Sequence, residues 1–538
     1  MKKKRYMFVS IFVFIGSFIL INRLQMKNFT VFNQVSSESI EMIKEVLEEK
    51  QELEFTALLC NEIRVPFNDA TNTFFVPLDM EKEQWETLKF TSGQREYRLL
   101  FYEDVTSKKK SEVIAKGEPL KMVVYSADSW AEYYVIFSGL PIIDLATNEG
   151  FYAAEEITGT AVFFDTDFLL HGTEMSEYNG HIRGNTSRMF PKKGYKINLT
   201  KVGTDGTTEL NKLSLFGMRK DDDWILHALY NDDTKIRDML SMEVWDTFGA
   251  KAVSEKSYYG PKMTYVEVFA DNAYCGLYGL MEPVDAKQLD LAEEDYLYKK
   301  SNPGGLDYMY DGFHDSTDPY EEIAGFTIKE GPIDEDAELW DPLADLSAVV
   351  TKSDEKFLRE KTELIDEKSA LNLWLFIQMI TGYDHTAKNV FYVAKYNQDF
   401  PEEYQFSFAP WDMDLTWGNV SVGEINPVYT EFEPEIVHDR VAWIVGDRLL
   451  KVDRNQSQKY VQELYKELRK TVLSDESIEE MIQLFDHKLR DSGAFKRDQK
   501  RWPEGVHANS YKQLLDYAKE RLDFLEEALY DLEYYDIE

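Results

Sequence analysis

The stretch from Tyr383 to Gly418 constrains this chain more than any other. It opens Tyr383-Asp384-His385-Thr386-Ala387-Lys388-Asn389 and closes Ala409-Pro410-Trp411-Asp412-Met413-Asp414-Leu415-Thr416-Trp417-Gly418. Between lie two apolar, aromatic-rich runs, Val390 to Ala394 and Tyr404 to Ala409, whose Phe, Tyr and Val content predicts a β-hairpin. Two carboxylate clusters then stand at opposite ends of one hairpin. In Trp411-Asp412-Met413-Asp414 both acids lie among aromatic and apolar neighbours, where burying a carboxylate is costly unless a cation or hydrogen bonds compensate. Metal binding by at least one of them answers that cost. The bland alternative is that Asp412 caps a turn and Asp414 pairs with a lysine.

The order of the polar residues narrows the chemistry. An Asp followed five positions later by an Asn, then a strand pair, then an Asp with a Gly shortly after, is the order in which kinases place a catalytic Asp, a metal-binding Asn and a metal-binding Asp. Asp-x4-Asn alone is weak in a chain with 98 Asp plus Glu, so the upstream segments matter. Arg183-Gly184-Asn185-x-Ser187 reads as an anion-binding turn, because Gly allows close backbone approach and Asn and Ser add donors. Lys193 stands at the mouth of a strand in which Tyr195, Ile197 and Leu199 alternate with Lys196 and Asn198. It is placed to reach a phosphate, or else it is a solvated lysine at a strand start. The spacing predicts a helix from about Thr234 through Trp245 carrying Glu243, which in kinase order pairs with the strand lysine; the plainer reading is a surface Glu. Arg237 on the same helix reads as a buried ion-pair partner. A hairpin follows, with Asp271-Asn272 in its turn between Tyr265 to Phe269 and Cys275 to Met281, and Glu282-Pro283 ends it where a kinase hinge would meet an adenine.

Composition bounds the rest. The 538 residues carry a formal net charge of -38, a surface that repels phosphate backbones and argues against a nucleic-acid partner. The hydrophobic share of 43% supplies ample core. Cys60 and Cys275 lie far apart in sequence, and a disulfide between them is not favoured. Residues 1–25, with Lys2 to Arg5 before the apolar run Tyr6 to Ile21, predict a signal-anchor, since no Ala-x-Ala-like cleavage site follows; the bulk is then extracytoplasmic, or secreted if the segment is cleaved. Residues 26–138 open with an amphipathic helix over 35–60 and continue as a β-rich accessory region of short strands. Residues 139–285 and 286–538 are expected to form a two-lobed α+β unit, the second lobe helical and packed by stripes such as Leu514, Leu515, Ala518, Leu522 and Leu525.

Arg183-Gly184-Asn185-Thr186-Ser187, Pro191-Lys192-Lys193-x-Tyr195-x-Ile197, Trp224 to Arg237, Val266 to Glu282 and Pro410-Trp411-Asp412-Met413-Asp414-x-Thr416-x-Gly418 together resemble the CotH family of atypical, protein-kinase-like spore-coat kinases. The resemblance covers about Leu140 to residue 470. It departs from the family pattern at Thr186-Ser187-Arg188, where Ser-Thr-Trp is usual, and in a hairpin turn without Asn-Gly. It implies a kinase-like fold, ATP with Mg²⁺ or Mn²⁺, and phosphorylation of Ser or Thr on coat or surface proteins. It also implies Asp384 as catalytic acid-base and Asn389 as metal ligand, with Asp412 and Asp414 competing for the principal metal role. Arg183, Asn185, Ser187, Lys193, Glu243 and Glu282 are the candidates on the nucleotide side. The rival expectation is a surface or coat binding protein that keeps the fold without catalysis.

Overall fold

The computed structural model describes residues 37–530 except 55–56, 83, 185, 250–260, 304–317, 333–338, 397–403, 423–427, 432 and 436–440. The expected signal-anchor and Asn185 therefore lie outside the described residues. Among the described residues no helix is long and apolar enough to cross a membrane.

The described residues open with helix α1 (Ser37–Val46). The amphipathic segment expected over 35–60 stops there, because Glu48 and Glu49 leave the helix to pair parallel with a strand of the first sheet. That sheet is built from β1 (Thr73–Pro77), β2 (Arg98–Phe101), β3 (Leu120–Tyr125) and β4 (Ser129–Ser138), with helix α2 (Lys110–Lys116) between β2 and β3. Its order is the short strand Phe67–Asn68, then β1, β4, β3 and β2. Ile40 and Ile43 of α1 pack on its outer face with Val123 and Trp130.

The next seven strands close on themselves. They are β5 (Ile142–Thr147), β6 (Glu156–Phe164), β7 (Glu174–Arg183), β8 (Gly194–Val202), β9 (Asp223–His227), β10 (Met263–Ala270) and β11 (Ala273–Met281), with helix α3 (Arg237–Phe248) between β9 and β10. Around the ring the order is β5, β6, β7, β8, β9, β11, β10 and back to β5, every pair antiparallel except β10 with β5. Alternation along each strand sends one set of side chains into the barrel. Ile143, Leu145, Tyr195, Ile197, Trp224 and Leu226 fill that interior. The outward set meets two other cores: Ile142 and Phe164 face the first sheet, while Ile225 and Leu277 face the C-terminal half. Closure is the main departure from expectation, for the face read as the apolar side of β8 is the barrel interior and the polar side faces the cleft.

The C-terminal half begins with a second sheet in the order β13, β12, β14, β15, formed by β12 (Tyr296–Lys300), β13 (Phe326–Glu330), β14 (Val390–Tyr396) and β15 (Tyr404–Pro410). Between β13 and β14 come α4 (Asp341–Thr351), α5 (Asp354–Leu364) and α6 (Glu367–Ile380). After β15 come α7 (Ile444–Val452), α8 (Arg454–Leu468), α9 (Asp475–Asp491), α10 (Ala494–Arg501) and α11 (Lys512–Ala528). Helix α6 is buried from Ser369 to Ile380 on every side, as a helix apolar all round must be. The stripe Leu514, Leu515, Ala518, Leu522, Leu525 of α11 joins the same core. The fold is α+β, and both cysteines are free and buried.

Candidate functional site

An antiparallel hairpin returns to its starting edge, so the two carboxylate clusters do not end up apart. Asn389, just before β14, donates its N–H to the Lys300 carbonyl at 2.8 Å, and its own carbonyl accepts the Trp411 N–H, just after β15, at 2.9 Å. Three strand ends thus place Lys299, Asn389 and Asp412 along one edge of the second sheet. Asn389 and Asp412 both adopt left-handed backbone, φ 61° and 58°, a conformation that short polar side chains tolerate best.

The two loops are also tied from behind. Helix α6 ends at Thr381, in left-handed conformation, and delivers Asp384 on the 3-10 turn Tyr383–Thr386. The last carbonyls of a helix have no partner within it. Here the Ile380 carbonyl accepts the Trp417 N–H at 2.6 Å, and Arg521 donates to the Gln378 carbonyl at 2.9 Å. The first bond ties the end of the Asp412–Asp414 loop to the base of the Asp384 turn. Helix α3 holds the same loop: Asp238 accepts the Met413 N–H at 3.0 Å and Ser241 accepts the Trp417 indole N–H at 3.0 Å.

Electrostatics separate the two loop acids. Burial raises the cost of charge on Asp412, yet the Arg183 guanidinium, His227, Lys299 and Lys388 hold its carboxyl below the usual carboxylate range. Burial and the adjacent Asp412 and Asp238 carboxylates push Asp414 well above that range. The Asp414 side chain accepts from the Asn231 amide, and Asn419 donates to the Asp414 carbonyl at 2.9 Å. Burial works against a charge on His227, but Asp238, at 3.0 Å, lifts its pKa. Burial, with the Arg183 charge beside it, lowers the Lys299 ammonium to about 7. Lys388 pairs with Asp384 at 2.9 Å and also feels Asp412 and Asp414.

Among the described residues the side chains of Arg183, Asn389 and Asp412, like that of Lys299, have no hydrogen-bond or ion-pair partner. Arg183, at the end of β7, lies over the Trp411 ring at 5.5 Å, so these groups converge across the gap between barrel and second sheet. Arg183, Lys299 and Asp412 are half-buried, so polar groups gathered there without partners are open to a polar ligand. Among the described residues no three His, Cys, Asp or Glu side chains form a metal-holding group. What Asn389 and Asp412 suit is a cation shared with a ligand's own oxygens, the usual manner of Mg²⁺, which takes one or two protein carboxylates and completes its shell from phosphates and water.

The remaining expected residues fall elsewhere. Lys193 is half-buried and donates to the Arg188 carbonyl, while its neighbour Lys192 is the buried lysine of the pair. Glu243 is exposed on α3, and the structure does not bring it to Lys193. It lies five positions from Asp238, which rotates it about 140° around the helix from the face that meets the loop; Asp238 is the acid α3 contributes. Ser187 packs against Gly184, whose φ of 97° leaves no room for a Cβ, an added one standing 1.9 Å from the Ser187 Oγ. Glu282 is buried and accepts the Arg219 N–H at 2.9 Å, beside the Arg219–Asp285 pair. Arg237 is buried against Asp232 and Asp233 at 2.5 and 2.6 Å, as its sequence context suggested. On the cleft face of β8 the lysine is Lys196, paired with Asp223 at 2.9 Å. Lys196 was visible in the alternation of β8 once its polar side is taken as the cleft side. Lys299 and His227 carried no such signal, for each stands in an apolar run that reads as a plain strand.

A closed barrel packed against a second sheet, with charged side chains where the two meet, makes this an α+β protein. The family model described as CotH kinase protein matches residues 181–525, and the chain belongs to that family. No curated protein matches the chain.

Proposed function

We propose that this chain is an ATP-dependent phosphotransferase that modifies Ser or Thr hydroxyls of exported, surface or coat proteins. The observation that carries the reading is the convergence on one gap of Arg183, Lys299, Asn389 and Asp412, which have no hydrogen-bond or ion-pair partner among the described residues, together with Asp384 on the adjoining turn. We read the barrel and the C-terminal half as the two lobes of a kinase-like arrangement, and the N-terminal segment as an anchor that leaves the bulk outside the cytoplasm.

Asn389 and Asp412 would hold Mg²⁺ or Mn²⁺, which when bound neutralises charge on the phosphates. Arg183 supplies positive charge from the barrel side. Asp384, held by Lys388, takes the acceptor hydroxyl proton as that oxygen bonds to the terminal phosphorus. The bond from that phosphorus to the bridging oxygen breaks, and its electron pair leaves with ADP. Positioning and charge neutralisation carry most of such a reaction. Asp238 acts one step away, by fixing the Met413 N–H and the His227 ring.

The test is incubation of the chain with labelled ATP and Mn²⁺. Label on the chain itself or on Ser-rich proteins supports the reading; no transfer with any divalent metal favours a surface or coat binding protein that keeps the fold.

A further inference from the structure

We propose that Lys299 is a phosphate-binding residue of the cleft, clamping with Arg183 the phosphate chain of a nucleoside triphosphate over the face of Trp411; this rests on the nucleotide reading above. Arg183 comes from the last residue of β7 in the barrel and Lys299 from β12 in the second sheet. Both cations lie over one indole, 5.5 and 5.2 Å from its centroid. Trp411 itself is 3% exposed, and it immediately precedes Asp412. Lys299 also lies 5.6 Å from the Phe391 ring, and Phe391 stands edge-on to Trp411 at 5.7 Å. Both rings face the lysine's ammonium, so its charge stands at the Trp411 ring together with the Arg183 guanidinium.

Lys300 and Lys388 are committed elsewhere. Lys300 points to the other face of the strand, where it donates to the Ala324 carbonyl and lies over Phe326. Lys388 pairs with Asp384. Lys299 and Arg183 have no such partner among the described residues. Arg183 and Lys299 repel each other from separate layers, Asp412 beside them offsets only part of their charge, and a polyanion between them offsets the rest while joining the layers. The Arg fork suits two oxygens of one phosphate, and the ammonium serves as a point charge on another.

The experiment measures binding of inorganic triphosphate, ATP and adenosine, with Mn²⁺ present, to the full chain and to Lys299→Met and Lys299→Arg. Met keeps most of the side chain's length and removes the charge, and thermal melting checks that each variant folds. The expected result is a roughly 10- to 100-fold weaker affinity of Lys299→Met for triphosphate and ATP, the scale of a lost charge-assisted hydrogen bond. Adenosine binding should stay within a few-fold, and Lys299→Arg should recover most of the loss. A parent chain that binds ATP beside a folded Lys299→Met that binds triphosphate equally well overturns the role of Lys299 alone. A parent that binds neither ATP nor triphosphate overturns both readings.

Discussion

The Lys192 ammonium and the Asp498 carboxylate meet at 2.7 Å, 306 residues apart, with both side chains buried. The same Asp498 oxygen accepts the Leu277 N–H at 3.0 Å, and the next residue back, Arg497, meets Glu267 at 2.6 Å. Trp502 completes the grip, its indole N–H donating to the Cys275 carbonyl at 2.9 Å. These bonds gather where Gly276, at φ 117°, follows the irregularity in the β10–β11 register and leaves strand backbone unpaired. Helix α10 thereby fastens the C-terminal half to the barrel.

Removing one partner of a buried pair strands the other charge. Asp498→Ala should lower stability by about 3–5 kcal/mol, and Lys192→Met combined with Asp498→Leu should recover much of it. Denaturant unfolding of the two variants checks this, and a mild effect of Asp498→Ala would show that the clasp is not what joins the halves.

The two loop acids should separate on mutation. Asp412 has no partner among the described residues and is held ionised by Arg183, whereas Asp414 is bonded by Asn231 and pushed toward its neutral form. Asp412→Asn should abolish metal-dependent nucleotide binding, and Asp414→Asn should keep it within roughly tenfold. Titration with a fluorescent nucleotide, with and without Mn²⁺, reads both; equal loss in the two variants would place Asp414 among the metal ligands too.

A third expectation concerns pH. Burial pushes the Asp447 carboxyl up to about 7, where it accepts the Trp374 indole N–H at 2.6 Å. The unfolded chain releases this proton near pH 4. Between those values the folded state binds more protons, so the group's contribution is fully present below about pH 4 and lost as pH rises through about 7. Asp447→Asn keeps an acceptor for the indole and cannot ionise. Its melting temperature relative to the parent should therefore rise between pH 5 and 8, with a gain on the order of 2 kcal/mol at the upper end. Parallel profiles would mean that Asp447 does not titrate in this range.

Local patterns carried much of the fold into the sequence. The hairpin ending at Asp412, the Asp271-Asn272 turn with both residues at positive φ, the alternation of β8 and the apolar stripe of α11 all depend on neighbours within a few residues, and each is where the pattern puts it. Closure of the barrel depends instead on β5 meeting β10, about 125 residues later, which no periodicity reports. That closure decides which side of β8 faces the cleft, so Lys196 and not Lys193 stands there. One position likewise separates Lys192 from Lys193 in the bend before β8, where Lys192 is buried on Asp498 and Lys193 is half-buried. The glutamate expected on α3 failed by helical phase, and Asp238 holds the place. Lys299 was hidden because a lysine over two rings reads, in sequence, as the polar end of an aromatic strand.

Asp384 is assigned the chemistry in a cleft whose binding groups lie elsewhere. Asp384→Asn, assayed for both nucleotide affinity and phosphoryl transfer, tests it most directly. ATP and Mn²⁺ binding should stay within a few-fold of the parent while transfer falls by roughly 10²-fold or more, the scale of a lost general base. Unchanged transfer with about 1 kcal/mol of lost stability would contradict it and leave Asp384 as a capping residue of its turn.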